Sequence, residues 1–179
     1  MARIAPVDLT QLTGPGKELV DAVKAKMGAV PNIFKSMVHS PAVLDLYLKA
    51  NGALAGGKLD PKTVEAIQLV VAQSNGCEYC LAAHTFIGNK VGLSQDDILS
   101  ARKGTAANAK TAALVALAKA IVANRGKVSD AELQAARSAG WSDGEIVEVV
   151  GVVTVAILTN YFNNLAQPEV DFPAAAKLV

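Results

Sequence analysis

The stretch Asp60-Pro-Lys-Thr-Val-Glu65-Ala-Ile-Gln-Leu-Val-Val-Ala-Gln-Ser74-Asn75-Gly76-Cys77-Glu78-Tyr79-Cys80-Leu-Ala-Ala-His84 decides how this chain folds. Asp60 is a capping residue type, and a proline directly after it suits the first helical position, where its missing N–H costs no bond. Nothing from Pro61 to about Ser74 breaks a helix. Asn75-Gly76 then interrupts the chain, and a second helix is expected from about Cys77 to Gly92. No sustained period-2 alternation of β-branched and aromatic residues flanks this turn, so it joins helices and not strands.

Working outward, the same signals recur. Pro15 to Lys26 is a short amphipathic segment ended by Gly28. Val30-Pro31 restarts the chain, with Ile33, Phe34, Met37 and Val38 apolar at helical spacing. Pro41 after Ser40 opens a helix to about Leu54, which Gly56-Gly57 breaks. Downstream, Ser94-Gln95-Asp96-Asp97 is a capping arrangement with Asp in place of the usual Glu, and a helix is expected from about Asn108 to Asn124. Ser129-x-x-Glu132 and Ser142-x-x-Glu145 are capping boxes introducing helices to Ala139 and to about Leu165. The segments Leu93–Ile98 and Val128–Leu133 look alike, each placing a short helix after a longer one, which points to an internally duplicated helical unit. Gln167-Pro168-Glu169-Val170-Asp171-Phe172-Pro173 cannot be helical across its prolines. It should run extended, with Phe172 packed on the body of the protein or on a neighbour. The expectation is all-α, one domain over residues 1–179, with N-terminal helices in 1–57, a helical core carrying the cysteines in 58–166 and an extended tail in 167–179.

Composition agrees. Of 179 residues 51% are hydrophobic but only 4% aromatic, so the filling is aliphatic, and 32 alanines favour helices that approach closely. A net charge of +1 leaves no basic footprint for nucleic acid. Two cysteines cannot staple a secreted scaffold. Met1 to Leu12 lacks the apolar region of a secretory signal. The longest apolar run, Val149 to Leu158, is short of the ~20 residues a membrane span needs, so it reads as a helix buried in the core or at a subunit interface. A cytoplasmic location, where thiols stay reduced, is the expectation.

The chemistry lies between Glu65 and His84. On a helix, Cys77, Cys80 and His84 fall within about 60° of arc and share one face. Cys77 lies at or near the first turn, where free N–H groups and the helix dipole favour a thiolate. His84 is one turn beyond Cys80, in position to accept its proton. Glu65 and Gln68 share a face of the preceding helix, and a carboxylate there could orient His84 or take a proton through water. Blander readings stand beside this one. The cysteines could be small hydrophobes of the core. With His84 and His39 they also number four possible zinc ligands, although three of the four lie on one expected helix. Glu65 taken alone reads as a solvated charge, and His39, next to Ser40-Pro41, as a surface or loop residue.

Glu65, eleven further residues, Cys77, two more, Cys80, three more and His84 together resemble the signature of the AhpD-like alkylhydroperoxidase and carboxymuconolactone decarboxylase superfamily. The tail after Asn160-Tyr-Phe-Asn-Asn164 is similar to that of its peroxidase-related branch. The resemblance implies an AhpD-like helical bundle, a trimeric or hexameric assembly, and reduction of hydrogen peroxide or alkyl hydroperoxides without metal, flavin or nicotinamide. Cys80 would be the peroxidatic thiolate, Cys77 the resolving cysteine reached by an external dithiol of lipoyl or thioredoxin-like type, and Glu65 with His84 the proton relay. The chain departs from the best-known members in carrying Tyr79 where they have a histidine, and a phenol is a poor base at neutral pH. A redox-sensing or binding protein of the same fold, with little turnover, is the alternative.

Overall fold

From residue 60 onward the helix starts follow capping side chains. The computed structural model describes residues 2–178, among which there are nine helices and no strand. They are α1 (Gly14–Met27), α2 (Asn32–Met37), α3 (Pro41–Ala55), α4 (Pro61–Ser74), α5 (Glu78–Lys90), α6 (Gln95–Lys103), α7 (Ala109–Ala123), α8 (Asp130–Ser138) and α9 (Asp143–Ala166). Asp60 accepts from the N–H groups of Lys62 and Thr63 at the start of α4, and Asn108 does the same for Lys110 and Thr111 at α7. Ser94, Ser129 and Ser142 each close a complete capping box, at α6, α8 and α9, and Asp97 serves where a Glu is usual. Both ends of α5 fall just inside the expected span, its last residue being Lys90 and not Gly92. Cys77 is the extended residue before α5 and not part of it, because its sulfur itself accepts the Cys80 N–H.

Helix α4 sets the architecture. It packs against α5, α6, α7 and α9, and it is buried without a break from Glu65 to Ala72. On one side Ile67, Leu69, Val70 and Val71 join α6–α9 in the main core, with Leu114, Val115, Val149 and Val153 among their neighbours. On the other side Ala72 meets a second apolar cluster, built from α1–α3, the two cysteines and Leu81. The active-site candidates therefore lie on a helix pair gripped from both sides. Helices α3 and α9 approach so closely that a Cβ on Gly151 would stand 3.0 Å from a Leu54 methyl.

Helix α9 divides its apolar residues between core and surface. Val149, Val152, Val153, Val155 and Ala156 are buried, whereas Val147 and Val150 are 68% and 47% exposed. By length and composition alone α9 could cross a membrane, although its apolar run Val149–Leu158 is short. Its buried face belongs to the protein core. Beyond α9 the chain leaves the helix through Gln167 at φ 48° and runs without regular structure over the body, as its prolines require. The Phe172 ring sits against the edge of Tyr79 and beside Phe86, and Arg102 donates to the Ala176 carbonyl. The tail packs on its own chain.

Candidate active site

The site begins with the turn between α4 and α5. Gly76 takes φ 61°, a backbone region that favours glycine, and this lets the chain reverse so that the Cys77 N–H reaches the Ala72 carbonyl. The turn is pinned from α9. Asn75 donates its side-chain amide to Asn160 at 2.9 Å, and Asn164 donates to the Asn75 carbonyl at 2.9 Å. Cys77 is thereby fixed at the N-cap of α5, where its sulfur accepts from the Cys80 N–H at 3.2 Å. A helix N-terminus favours negative sulfur, so the turn presents the pair where a thiolate is best tolerated.

Cys77 and Cys80 form a disulfide, with Cα atoms 5.3 Å apart. Both are buried, at 0% and 2% exposure. From α9, Asn163 donates its side-chain N–H to the Cys80 sulfur at 3.2 Å and lies 3.9 Å from that of Cys77. A pocket of about 380 Å³ opens beside the Cys77 end, walled by the α5 start, Asn163, Asn164 and Gln167 of the α9 end, and Pro168 and Val170 of the tail.

Glu65 and His84 meet across the α4–α5 interface, with Glu65 Oε2 2.8 Å from His84 Nδ1. The bond assigns the other ring nitrogen, Nε2, to any exchange of protons with substrate or sulfur. The reading of Glu65 as a solvated charge is corrected here: it is 9% exposed, because α4 has no outer face at this level. Beside it Tyr47 of α3 has its phenol pushed up to about 12 by burial and then by the Glu65 charge. Gln68, on the same face of α4, is buried with its carbonyl oxygen unpartnered.

Two other candidates fall elsewhere. Tyr79 lies on α5 between the cysteines, but its hydroxyl donates to Asp171 at 2.6 Å and accepts from the Ile33 N–H at 3.2 Å. Burial and then the Asp171 bond push its phenol far above the ordinary value, so it anchors the tail and holds its proton. Asp171 also accepts from the Asn32 N–H, which ties α2, α5 and the tail at one point. His39 is exposed, with Nε2 on the Ala5 carbonyl at 2.9 Å, as its loop position suggests. Among the described residues no three His, Cys, Asp or Glu side chains are grouped to hold a metal, so the four zinc candidates are not brought together. Asn163 was missed. The signal in the sequence is the pair Asn160 and Asn163 on a mostly apolar helix, since a buried amide needs partners.

Residues 41–121 match the carboxymuconolactone decarboxylase family. No curated protein matches the chain by sequence. Among solved structures it is similar to the alkylhydroperoxidase AhpD core of an uncharacterized peroxidase-related protein from Ralstonia eutropha JMP134, with 21% identity, TM-score 0.85, and 95% of this chain and 92% of that one covered. It is also similar to an uncharacterized peroxidase-related protein from Silicibacter sp. TM1040, with 19% identity, TM-score 0.78 and 98% and 94% covered. The debrominase Bmp8, in complex with 2,3,4-tribromopyrrole, shares the fold at 14% identity and TM-score 0.80, with 94% and 91% covered. The fold is thus that of the AhpD-like all-α proteins, here built around a CxxC pair. The segment 41–121 resembles the carboxymuconolactone decarboxylase family, and the chain as a whole shares the AhpD-like fold.

Proposed function

We propose that this protein is a thiol-dependent peroxidase that reduces hydrogen peroxide or alkyl hydroperoxides through a Cys77–Cys80 dithiol cycle. The observation that supports it best is the disulfide at the start of α5, one turn from a histidine oriented by a buried carboxylate. In the reduced enzyme, His84 Nε2 takes the Cys80 proton, with Glu65 holding the ring. The thiolate attacks the terminal peroxide oxygen, and the O–O bond breaks as the S–O bond forms. The leaving alkoxide or hydroxide takes the proton from His84 and departs as alcohol or water. Cys80 is then a sulfenic acid. Cys77, giving up its own proton, attacks the Cys80 sulfur, the S–S bond forms, and hydroxide is expelled and protonated to water. The two electrons have come from the two thiols. An external dithiol of lipoyl or thioredoxin-like type restores them by thiol–disulfide exchange and is itself oxidised. The pocket beside Cys77 is the approach such a reductant would use.

The burial of both sulfurs favours a second reading, in which the disulfide switches a contact surface with little turnover. One assay divides the two. Peroxide consumption is followed with an excess of a small dithiol, for the wild type, Cys80→Ser and Cys77→Ser. Sustained turnover in the wild type alone is the expected result. A disulfide that forms with peroxide but is not recycled supports the switch, and a Cys80→Ser variant as fast as the wild type overturns both. Because the fold is shared with a debrominase, a brominated pyrrole is run beside the peroxides, and faster consumption of it would replace the peroxide as substrate.

A further inference from the structure

The asparagines at the end of α9 are not used by the reaction just described, and one of them touches its sulfurs. Asn163 Nδ2 lies 3.2 Å from the Cys80 sulfur and 3.9 Å from the Cys77 sulfur. Asn163 is 4% exposed and stands on a continuous helix, and its neighbours Asn160 and Asn164 bind the turn that leads into Cys77. Its position relative to the sulfurs is therefore fixed on both sides. A disulfide sulfur has lone pairs and no proton, so the amide must present N–H to it and turn its carbonyl away. That carbonyl, Oδ1, is buried and unpartnered. A side chain that forgoes a bond on one atom to aim the other at sulfur is placed for the sulfur.

We propose that Asn163 is a catalytic residue of the dithiol cycle, its side-chain N–H holding the Cys80 sulfur as a thiolate. Burial opposes the charged form of a thiol, and Cys80 is almost wholly buried. A donor within hydrogen-bond distance offsets that cost, and a bond to an ion is roughly twice as strong as one between neutral groups. Around this sulfur the titratable groups are Glu78 on the first turn of α5, Tyr79 with Asp171 of the tail, Glu65 with His84, and Tyr47 of α3. None of them is hydrogen-bonded to either sulfur among the described residues, whereas Asn163 is bonded to both. The same N–H also receives the charge that appears on Cys80 when an external thiolate attacks Cys77 and the S–S bond opens.

The inference rests on the dithiol reading, and its test needs no peroxide. In a Cys77→Ser background, which keeps a capping side chain at that position and leaves one thiol, the alkylation rate of Cys80 by iodoacetamide is measured from pH 5 to 10. Asn163→Leu, of nearly the same volume but without the amide, and Asn163→Ala are compared with Asn163. The expected result is a midpoint raised by about one unit or more in either variant, so that the thiolate fraction at neutral pH falls about tenfold. Asn163→Asp, which sets a carboxylate against the sulfur, should raise it further. Circular dichroism identifies which variants fold, and one folded variant is sufficient. An unmoved midpoint in a folded Asn163→Leu or Asn163→Ala protein overturns the proposal, even if peroxide turnover is established. A raised midpoint in a protein that consumes no peroxide upholds Asn163 while the peroxidase reading fails.

Discussion

A single hydrogen bond divides the labour between Glu65 and His84. With Nδ1 committed to the carboxylate at 2.8 Å, the imidazole has one nitrogen left for chemistry and cannot rotate away from it. Replacing His84 by Gln should therefore lower the single-turnover rate of Cys80 oxidation by about 10²-fold or more, the usual worth of a positioned general base. Glu65→Gln keeps an oxygen that accepts from Nδ1 but loses the charge, and its rate should fall between the two. Stopped-flow mixing of the reduced protein with peroxide reads both. A His84→Gln protein as fast as the wild type would remove the relay from the mechanism. Tyr79 behaves differently. Its hydroxyl is taken up by Asp171 and by the Ile33 N–H, so Tyr79→Phe belongs with tail-loosening variants and not with relay variants.

The helices are legible in the sequence where their ends are local. Ser94, Ser129 and Ser142 each bond to the residue three positions on, and Asp60 caps α4 within the same span, so residue types alone locate these starts. The capping carboxylates have an acid signature. Burial works to raise the Asp60 carboxyl, but hydrogen bonds from Thr63 and Lys62 outweigh it and leave the net shift downward. Hydrogen bonds with their serines also lower Asp97, Glu132 and Glu145. A carboxylate whose pKa is lower in the folded state stabilises fully above its unfolded value of about 4, and that contribution is lost as the pH falls through the folded values. The melting temperature should accordingly hold from pH 7 to about 5 and drop below about 4. Asp60→Asn keeps the cap but removes one titrating group, so it should soften the acid loss, whereas Asp60→Ala should cost about 1 kcal/mol already at pH 7. Thermal melts across that range check both, and an Asn variant with a steeper acid loss would contradict the assignment. What the sequence could not supply is pairing over distance. Asn163 meets the sulfurs from more than 80 positions away, and Tyr79 meets Asp171 from 92. The burial of Glu65 likewise depends on helices packed around α4 and not on its sequence neighbours. The resemblance carried Glu65, Cys77, Cys80 and His84 together, whereas Asn163 was marked only as an amide on a mostly apolar helix, which does not say what it meets.

At the scale of the whole molecule, α9 joins three roles along one element. One face fills the main core, the C-terminal turns hold the cysteine loop through Asn160, Asn163 and Asn164, and a third stripe faces outward. That stripe is apolar. Val147, Val150, Tyr161 and Leu165 are 68%, 47%, 61% and 58% exposed, and at ~100° per residue they fall, with Thr154 and the half-buried Leu158, on one narrow line. The Thr154 hydroxyl is turned back onto the Val150 carbonyl, which removes the one hydroxyl donor from the middle of the line. An apolar strip of this kind, running the ~27 Å that 18 helical residues span, is what an oligomer of identical chains would bury. If the homo-oligomer expected from the resemblance forms, this stripe of α9 is the surface it should bury. Sedimentation velocity at micromolar concentration should give a mass of more than one chain. Val150→Glu with Leu165→Glu, both on the exposed face and neither in contact with a cysteine, should reduce it toward a monomer with unchanged helix content. A wild-type protein that sediments as a monomer would rule out the assembly, and an oligomer that survives both charges would move its interface off α9. The cysteine loop hangs from the last turns of the same helix, so the variant also asks whether assembly steadies Asn163. If it does, the Cys80 alkylation midpoint of the dissociated protein should shift upward, in the direction of the Asn163→Leu variant.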